Sequence, residues 1–558
     1  MWKSELARDK HKDFIISGIQ HGFKIIDNTN VQHAEVENHK SCYSSYSNLV
    51  ATEKTILSEI NKGNYVVTGQ KPSIVSAIGC IPKRNSVDIR LIHDASRPYG
   101  KSMNTYAVNN KTSYDSLDKV CKHINVGDFC AKIDLSQAYR TVPISPSNYC
   151  VTGIKWKFSG CKKYTYMYDT RLCFGAAKAP SIFQCITESV TRMMKRRGFK
   201  RVFVYLDDFL IVENSKDKCM EAFVCLTQLL HNLGFTLNWG KVIPPTQCIV
   251  FLGVTIDTLN FTLSIPSDKL VALQSELKDW IHKTKVTKRE LQQIIGKLNW
   301  AAKLLHATRP FLRRLIDLMC TLKRPSHHVR LTLSVKEDLQ WLLTASCVFN
   351  GTVAIVNEPP LPEFSFASDA CETGGAAFFQ SDWFYVGWEL DFPQYCNVHI
   401  NLKELFTVLL AVVRWGHLWK NRHITLYTDN QVTMYAINKG CIRNILGMHF
   451  IRELFCILEI YNIHISARHI SGRDNIIPDA LSRLHDEKFA FLAAELLLPF
   501  EHYIMFPWYN LSNHMSTKCA HFISQILCPI RRDIWILMFR DIDSRCLQSP
   551  RKPLTVHI

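Results

Sequence analysis

The chain has 558 residues, which is room for about three to four domains at ~150 residues each. Hydrophobic residues make up 47% and charged residues 21%, a globular balance that excludes wholesale disorder, and 67 basic against 49 acidic side chains leave a net charge of +18 that calls for a polyanionic partner, nucleic acid before membrane. The 20 cysteines are scattered without a C-x-x-C pair, no signal peptide opens the sequence, and the longest apolar stretches, such as Phe489 to Leu498, fall short of the ~20 residues of a membrane span; the expectation is a reduced protein of cytoplasm or nucleus, neither secreted nor membrane-spanning.

Texture divides the chain. Residues 1–62 are polar and basic, with one helical pattern from Lys12 to Ile26, and read as a leader. From 63 to 262, short apolar or alternating runs (Ser76–Ile81, Ile89–His93, Ala131–Leu135, Val202–Tyr205, Phe209–Val212, Val250–Ile256) alternate with helical patterns at Ala179–Met194 and Cys219–Leu233, an α+β pattern. Residues 263–348 are purely helical in pattern and hold two capping-box sequences, Thr287-x-x-Glu290 and Ser334-x-x-Glu337. A Pro-containing linker at 349–362 precedes a β-β-β-α-β-α-β-α module at 363–486, and 487–558 is a tail of unassigned role.

Two groups of carboxylates carry chemistry. Asp207 and Asp208 stand between the β-prone runs Val202–Tyr205 and Phe209–Val212, at or beside a hairpin turn. In isolation an Asp pair serves as turn residues just as readily, but Tyr205 and Phe209 flank this one where tight turns favour Gly or Asn, and adjacent carboxylates repel unless a cation holds them. Asp134 ends an apolar strand before a helix, where a lone Asp is more often an N-cap. Together the three offer hard oxygen ligands suited to Mg2+, which in a pair could activate a 3′-hydroxyl and stabilise departing pyrophosphate. In the later module Asp369 and Asp429 end strands, Glu404 opens a helix and Asp479 begins the last one. Carboxylates at strand ends and helix starts can converge on one sheet edge and bind two metal ions that deliver a water to a phosphodiester. Taken alone, Glu404 three residues after Asn401 favours a capping interaction, and Asp479 after Pro478 suits a first helical turn.

Tyr205-Leu-Asp-Asp208 resembles the Y-x-D-D box of reverse transcriptases, and the neighbouring blocks follow that family's order: Ile81-Pro-Lys-Arg to Asp88-Ile-Arg-Leu-Ile-His-Asp-Ala-Ser96, Leu172-Cys-Phe-Gly-Ala-Ala-Lys-Ala-Pro-Ser-Ile-Phe-Gln184, Leu233-Gly-Phe-Thr-Leu-Asn-Trp-Gly-Lys241 and Phe251-Leu-Gly-Val-Thr-Ile256. The resemblance implies a right-hand polymerase, fingers and palm at 63–262 and a helical thumb or connection at 263–348, with Asp134, Asp207 and Asp208 as metal ligands. It further implies Lys83 and Arg90 on triphosphate oxygens, Tyr139 under the sugar excluding a 2′-hydroxyl, and Phe174 and Gln184 bordering nucleotide and template. Lys241 would lie near pyrophosphate and Phe251–Val254 at the primer end. Arg192, Lys195, Arg196, Arg197, Lys200 and Arg201, just before the Asp pair, are expected to meet phosphates rather than form a merely solvated face.

The ordered set Asp369, Glu404, Asp429, Asp479 with Arg468-His-Ile-Ser-Gly-Arg-Asp-Asn-Ile-Ile-Pro-Asp-Ala-Leu-Ser-Arg483 is similar to retroelement ribonuclease H of gypsy-type and DIRS-type elements, Pro478 replacing the usual Ala. By that resemblance the four are metal ligands of a ribonuclease H-like α/β domain, while His469 belongs to a strand edge. The implied cofactor is Mg2+ (or Mn2+), two ions per site; the implied partners are an RNA template, a DNA primer, RNA-DNA hybrid and deoxynucleoside triphosphates. The implied activity is RNA-directed DNA synthesis with ribonuclease H, from an LTR-type or DIRS-type retrotransposon. A catalytically inactive nucleic-acid-binding descendant is the alternative. Oligomeric state is not readable.

Overall fold

The β-prone runs of the first half form small sheets whose apolar faces are covered by amphipathic helices. The computed structural model describes residues 1–82, 89–108, 112–305, 308–348, 351–356 and 361–483. Two compact units divide the chain, the first Met1–Phe261 and the second beginning at Thr262.

In the first unit, α1 (Lys12–His21) stops short of the expected Ile26 because Gly22 takes a φ of +80°, a backbone state that ends a helix and that glycine tolerates. Beyond it Phe23, Ile25 and Ile26 join Leu6 and Ile15 in the unit's main core. Residues 6–26 thus pack into that core, and Cys42 and Ile56 into a second cluster, so 1–62 folds with the unit rather than standing apart as a leader. α2 (Tyr46–Asn61) starts where the Ser45 hydroxyl accepts the Asn48 N–H. β1 (Tyr65–Thr68) pairs with a later strand; β2 (Ala77–Pro82) and β3 (Ile89–Asp94) pair antiparallel, Ile81 opposite Arg90. β4 (Phe129–Asp134) is followed by β5 (Gly153–Trp156) and β6 (Thr165–Asp169), the latter lying between β5 and β1 in a five-stranded sheet. Next come α3 (Ala179–Arg196), β7 (Val202–Tyr205), β8 (Asp208–Glu213), α4 (Lys216–Asn232) and β9 (Ile243–Thr246). A four-stranded sheet in the order β9-β4-β8-β7 results. Phe183, Val190 and Met194 of α3, with Leu226 and Leu230 of α4, pack against Ala131, Ile133, Phe209 and Ile211 of the strands. Each of these side chains larger than alanine contributes about 1.5–3 kcal/mol by leaving water. The unit closes with the hairpin β10 (Cys248–Phe251) and β11 (Val254–Asp257).

The basic end of α3 departs from expectation. Arg192 bonds Asp9 at 2.7 and 2.9 Å, Arg196 donates to the Glu5 carbonyl at 2.6 Å, and Arg197 pairs with Glu5 and Arg201 with Asp128. Four of the six cations hold the protein together; Lys195 and Lys200 are exposed.

The second unit opens with a short strand, Thr262–Ser264, before α5 (Ser267–His282), α6 (Lys288–Ala301), α7 (Thr308–Cys320) and α8 (Leu333–Val348). The antiparallel pair Lys285–Thr287 and His328–Arg330 interrupts the helices, so 263–348 is not purely helical as the pattern suggests. The Thr287–Glu290 capping box forms in full. Its counterpart at Ser334 does not: α8 starts at Leu333, two residues before the Val335 start that a Ser334 cap would set, and the Thr332 hydroxyl accepts the Val335 N–H at 3.4 Å. Then follow β12 (Ser365–Ala370), β13 (Gly374–Phe379), β14 (Asp382–Gly387), α9 (Ile400–Trp415), β15 (His423–Thr428), α10 (Gln431–Lys439), α11 (Ile445–Ile460), β16 (His464–His469) and α12 (Ile476–Ser482). The sheet order is β14-β13-β12-β15-β16, with β12, β15 and β16 parallel and the other pairs antiparallel. Trp388, Trp415 and Trp419 with Leu405, Phe450 and Leu454 fill the core between sheet and helices.

Candidate active sites

In the first unit the antiparallel register of β4 and β8 puts Asp208 directly opposite Asp134, a pairing that spaces Cα atoms by about 4.5–5.5 Å. Leu206 and Asp207 form the two-residue turn between β7 and β8, Tyr205 facing Asp208 across it. Leu206 takes the left-handed backbone, φ +55°, at a position that two-residue turns normally give to glycine. The conformation is held from both sides. The Leu206 N–H donates to Gln184 Oε1 at 2.8 Å, and the Asp207 carbonyl accepts the Leu135 N–H at 3.1 Å. Asp134 caps no helix: its Oδ1 accepts from Asn238 Nδ2 at 2.9 Å, and Lys241 Nζ lies 3.1 Å from its Oδ2. Lys132 Nζ lies 3.2 Å from Asp208 Oδ1. Burial raises the carboxyl pKa of Asp207 and Asp208, and the neighbouring carboxylates add to it against the pull of the lysines. The three carboxylates are neighbours, but unlike the acid cluster of the second unit their oxygens do not all lie within 4.8 Å of one another; the hard oxygen donors are those a divalent cation takes, and an ion would have to draw them together.

Around them, Tyr139 stands on the one-turn helix Ala138–Thr141, its ring 5.0 Å from Phe174 and 5.4 Å from Phe183. Its hydroxyl is pushed up to about 12 by burial and by Tyr114, Asp207 and Tyr205. Phe174 is 44% exposed, consistent with a surface that a ligand covers. Arg90, Gln137 and Phe174 line a cavity of about 630 Å³ against α2. Lys83 lies outside the described residues. Gln184 is buried and its amide is engaged within the protein: Oε1 accepts from Leu206, and Nε2 donates to Glu188 at 3.2 Å and to the Val204 carbonyl at 3.3 Å. Phe251 and Val254 are buried, with Leu252 and Gly253 at positive φ between them.

In the second unit Asp369, Glu404 and Asp429 each bring an oxygen within 4.8 Å of the others. Glu404 makes no capping box: His399 Nδ1 caps α9 by accepting the Asn401 N–H at 3.2 Å, and Asn401 Oδ1 accepts from Asn430. Glu404 Oε2 is buried without a hydrogen-bond partner, an orphaned acceptor that a cation satisfies. Asp369 accepts from Ser482 Oγ at 2.6 Å. Burial, then the charges of Asp429 and Asp479, push its carboxyl up to about 7 against that bond. Glu404 is raised further by burial and by Asp369 and Asp429; Asp429 is raised by burial and by Asp479. Asp479 stands at the same edge but pairs with Arg483 at 2.9 Å. His469 ends β16 opposite Thr428, its Nε2 3.0 Å from the Asp429 carbonyl, a strand-edge place.

Sequence reasoning missed Lys132, Asn238 and Ser482. Lys132 had a signal: two residues before Asp134 on one strand, it shares that face. Asn238 and Ser482 had none beyond closeness to Lys241 and Asp479.

Residues 81–256 match the family model described as reverse transcriptase (RNA-dependent DNA polymerase). The chain carries a reverse transcriptase domain. Protein P of duck hepatitis B virus (isolate white Shanghai duck S31) is 25% identical over 337 residues, 59% of this chain and 39% of the viral protein. The Pro-Pol polyprotein of feline foamy virus is 26% identical over 277 residues, 50% of this chain and 21% of the polyprotein. The chain thus spans well under half the length of these relatives. Among solved structures, the foamy viral protease-reverse transcriptase in complex with dsDNA aligns with a TM-score of 0.50 at 16% identity, over 81% of this chain and 87% of that one. At that identity the likeness establishes the fold, a polymerase fold of mixed helix and sheet. No helix among the described residues is long and apolar enough to cross a membrane.

Proposed function

We propose that this protein is an RNA-directed DNA polymerase whose second unit hydrolyses the RNA strand of RNA-DNA hybrids, and that it derives from an LTR-type (gypsy) or DIRS-type retroelement. What carries the reading is the strand register that sets Asp208 against Asp134 with Asp207 on the adjoining turn, beside an open aromatic wall of Tyr139 and Phe174. The motif spacing around Arg468–Arg483 supports the retroelement origin. The described cysteines are all free thiols, which suits a reducing compartment, cytoplasm or nucleus.

Asp134, Asp207 and Asp208 would hold Mg2+ (or Mn2+), which would supply charge neutralisation for a primer 3′-oxygen and for the leaving pyrophosphate. The chain's own residues do the rest. The Gln184 clamp on Leu206 keeps the turn rigid, so that the carboxylates meet the ligand without reorganising. Tyr139 closes the space a ribose 2′-hydroxyl would need, and Arg90, with Lys83, meets the triphosphate of the deoxynucleotide. Lys132 and Lys241 balance the carboxylates before a nucleotide enters. In the second unit Asp369, Glu404, Asp429 and Asp479 would hold the same class of ion, which would supply activation of a water towards a phosphodiester, the RNA strand being distinguished by its 2′-hydroxyls and A-like shape.

Primer extension on poly(rA)·oligo(dT) with Mg2+ tests this reading. Wild type extends, and Asp207→Asn and Asp208→Asn abolish extension while leaving hybrid cleavage. Asp429→Asn does the reverse. Folded wild-type protein with neither activity would overturn this reading and leave an inactive nucleic-acid-binding descendant as the alternative.

A further inference from the structure

Arg140 follows Tyr139 and points away from the carboxylate cluster, into a buried polar network of the fingers side. Its Nε and Nη2 lie 2.8 and 2.7 Å from Glu59 Oε2 at the end of α2, and its Nη1 donates to Asp169 Oδ2 at 2.6 Å and reaches the Leu172 carbonyl at 3.4 Å. The guanidinium lies over the Tyr65 ring, 5.3 Å from its centroid. The Tyr65 hydroxyl meets His93 Nε2 at 3.0 Å, and the same nitrogen is 3.7 Å from Asp169. His93, Asp169 and Cys173 bring ligand atoms within 4.8 Å of one another, a spacing that suits a metal. The guanidinium on Asp169 already supplies the positive charge there, and burial together with Arg140 holds His93 down to about 3, so the imidazole is neutral. The cation of this cluster is Arg140 itself.

Its position links two walls. Through the backbone it is joined to Tyr139; through the Leu172 carbonyl it holds the loop that presents Phe174, whose own carbonyl accepts the His93 N–H at 3.0 Å. The Tyr139 and Phe174 rings stand 5.0 Å apart. Gln137, which accepts the Arg140 N–H at 2.8 Å, takes φ +52°, so this turn is held in a conformation it would not adopt unaided.

We propose that Arg140, clamped by Glu59 and Asp169, is a positioning residue that sets the gap between Tyr139 and Phe174 and thereby the discrimination between deoxy- and ribonucleotides. The inference rests on the reading of Tyr139 as the wall under the sugar. It also makes α2, in the stretch that sequence texture sets apart as a leader, a working part of nucleotide selection.

The test is steady-state incorporation of dTTP and of UTP on poly(rA)·oligo(dT) by the full chain carrying Arg140→Lys or Glu59→Gln, with melting measured in parallel. Glu59→Gln keeps the Asp169 and Leu172 contacts and is the variant chosen to fold. A loosened wall raises KM for dTTP roughly fivefold to tenfold with a smaller change in kcat, and raises the UTP:dTTP ratio several-fold. A lowered melting temperature with KM and the ratio both within about twofold of wild type would overturn the proposal, because a purely structural role moves only the former. Tyr139→Val is the separate arm. If it leaves the ratio unchanged, the reading of Tyr139 fails, while the KM shift in the Arg140 and Glu59 variants still decides whether they position the site.

Discussion

The second acid cluster should make the metal-free protein less stable as pH rises, and one substitution should remove a defined part of that slope. Asp369 is 4% exposed, and its carboxyl is pushed from 3.8 up to about 7 by burial and then by Asp429 and Asp479. The folded state therefore keeps this proton to higher pH than the unfolded chain does. Its contribution is complete below pH ~4 and is lost as pH climbs through ~7. Three pK units set a ceiling of about 4 kcal/mol, of which about 2 kcal/mol falls between pH 5.5 and 8. Glu404 and Asp429, raised by the same causes, act in the same direction. Thermal melts in EDTA should show the second unit's transition falling by about 4–8 °C over that interval, relative to Asp369→Asn, which has no proton to lose. Mg2+ should reverse the trend in wild type, because the ion takes the deprotonated ligands, and its apparent affinity should rise about tenfold per pH unit up to pH ~7. A wild-type-minus-variant difference that stays flat from pH 5.5 to 8 in EDTA would refute the account of a protonated, repelling cluster.

Three further outcomes follow from the first unit. Leu206→Gly relieves a left-handed leucine and should stabilise the protein by about 1 kcal/mol or leave it unchanged, read as a rise in denaturation midpoint; a clear loss would mean that the leucine side chain, not the backbone, matters there. Gln184→Ala strands the Leu206 N–H and should cost about 1–3 kcal/mol while lowering kcat of extension more than it raises KM. Lys132→Met, which frees Asp208 of a competing cation, should lower the Mg2+ concentration that half-saturates extension and leave hybrid cleavage untouched; a change in cleavage would contradict two independent sites.

The parts of both sites that sit at strand ends were readable because strand pairing is periodic and carboxylates at the ends of β-prone runs have few structural alternatives. Asp134 and the Asp207–Asp208 pair are brought together by a register that apolar alternation alone enforces: slip it by one residue and Ile133 and Phe209 leave the core. What was not readable is long-range pairing of polar groups. Nothing near Arg192 or Arg197 announces that Asp9 and Glu5 will neutralise them, and nothing near Arg140 points to Glu59, 81 residues earlier. The local alternatives for Asp134 and Glu404 failed for the same reason. Their side chains turn to partners supplied by distant segments, Asn238 and Lys241 in one case and Asp369 with Asp429 in the other.

The placement of the linker at 349–362 can be tested by asking what the 363–486 segment leaves behind. Asp338 on α8 is buried and accepts from Arg452 of α11 and Arg314 of α7, each at 3.0 Å. Phe311 and Trp341 stack with centroids 3.7 Å apart, and the Arg452 guanidinium lies 5.2 Å from the Phe311 centroid. Trp341 also packs against the aromatic core of the following sheet. Cutting the chain at 362 strips all of these from a buried arginine, and an uncompensated buried charge costs about 3–5 kcal/mol. That is comparable to the whole stability of a small domain. A fragment of residues 363–486 should therefore melt far below one of 308–486, or fail to fold, and Arg452→Met should narrow the difference by removing the stranded charge. Equal melting of the two fragments would mean that the helices are mere neighbours, and that the domain boundary at the linker is an energetic boundary as well as a change of texture.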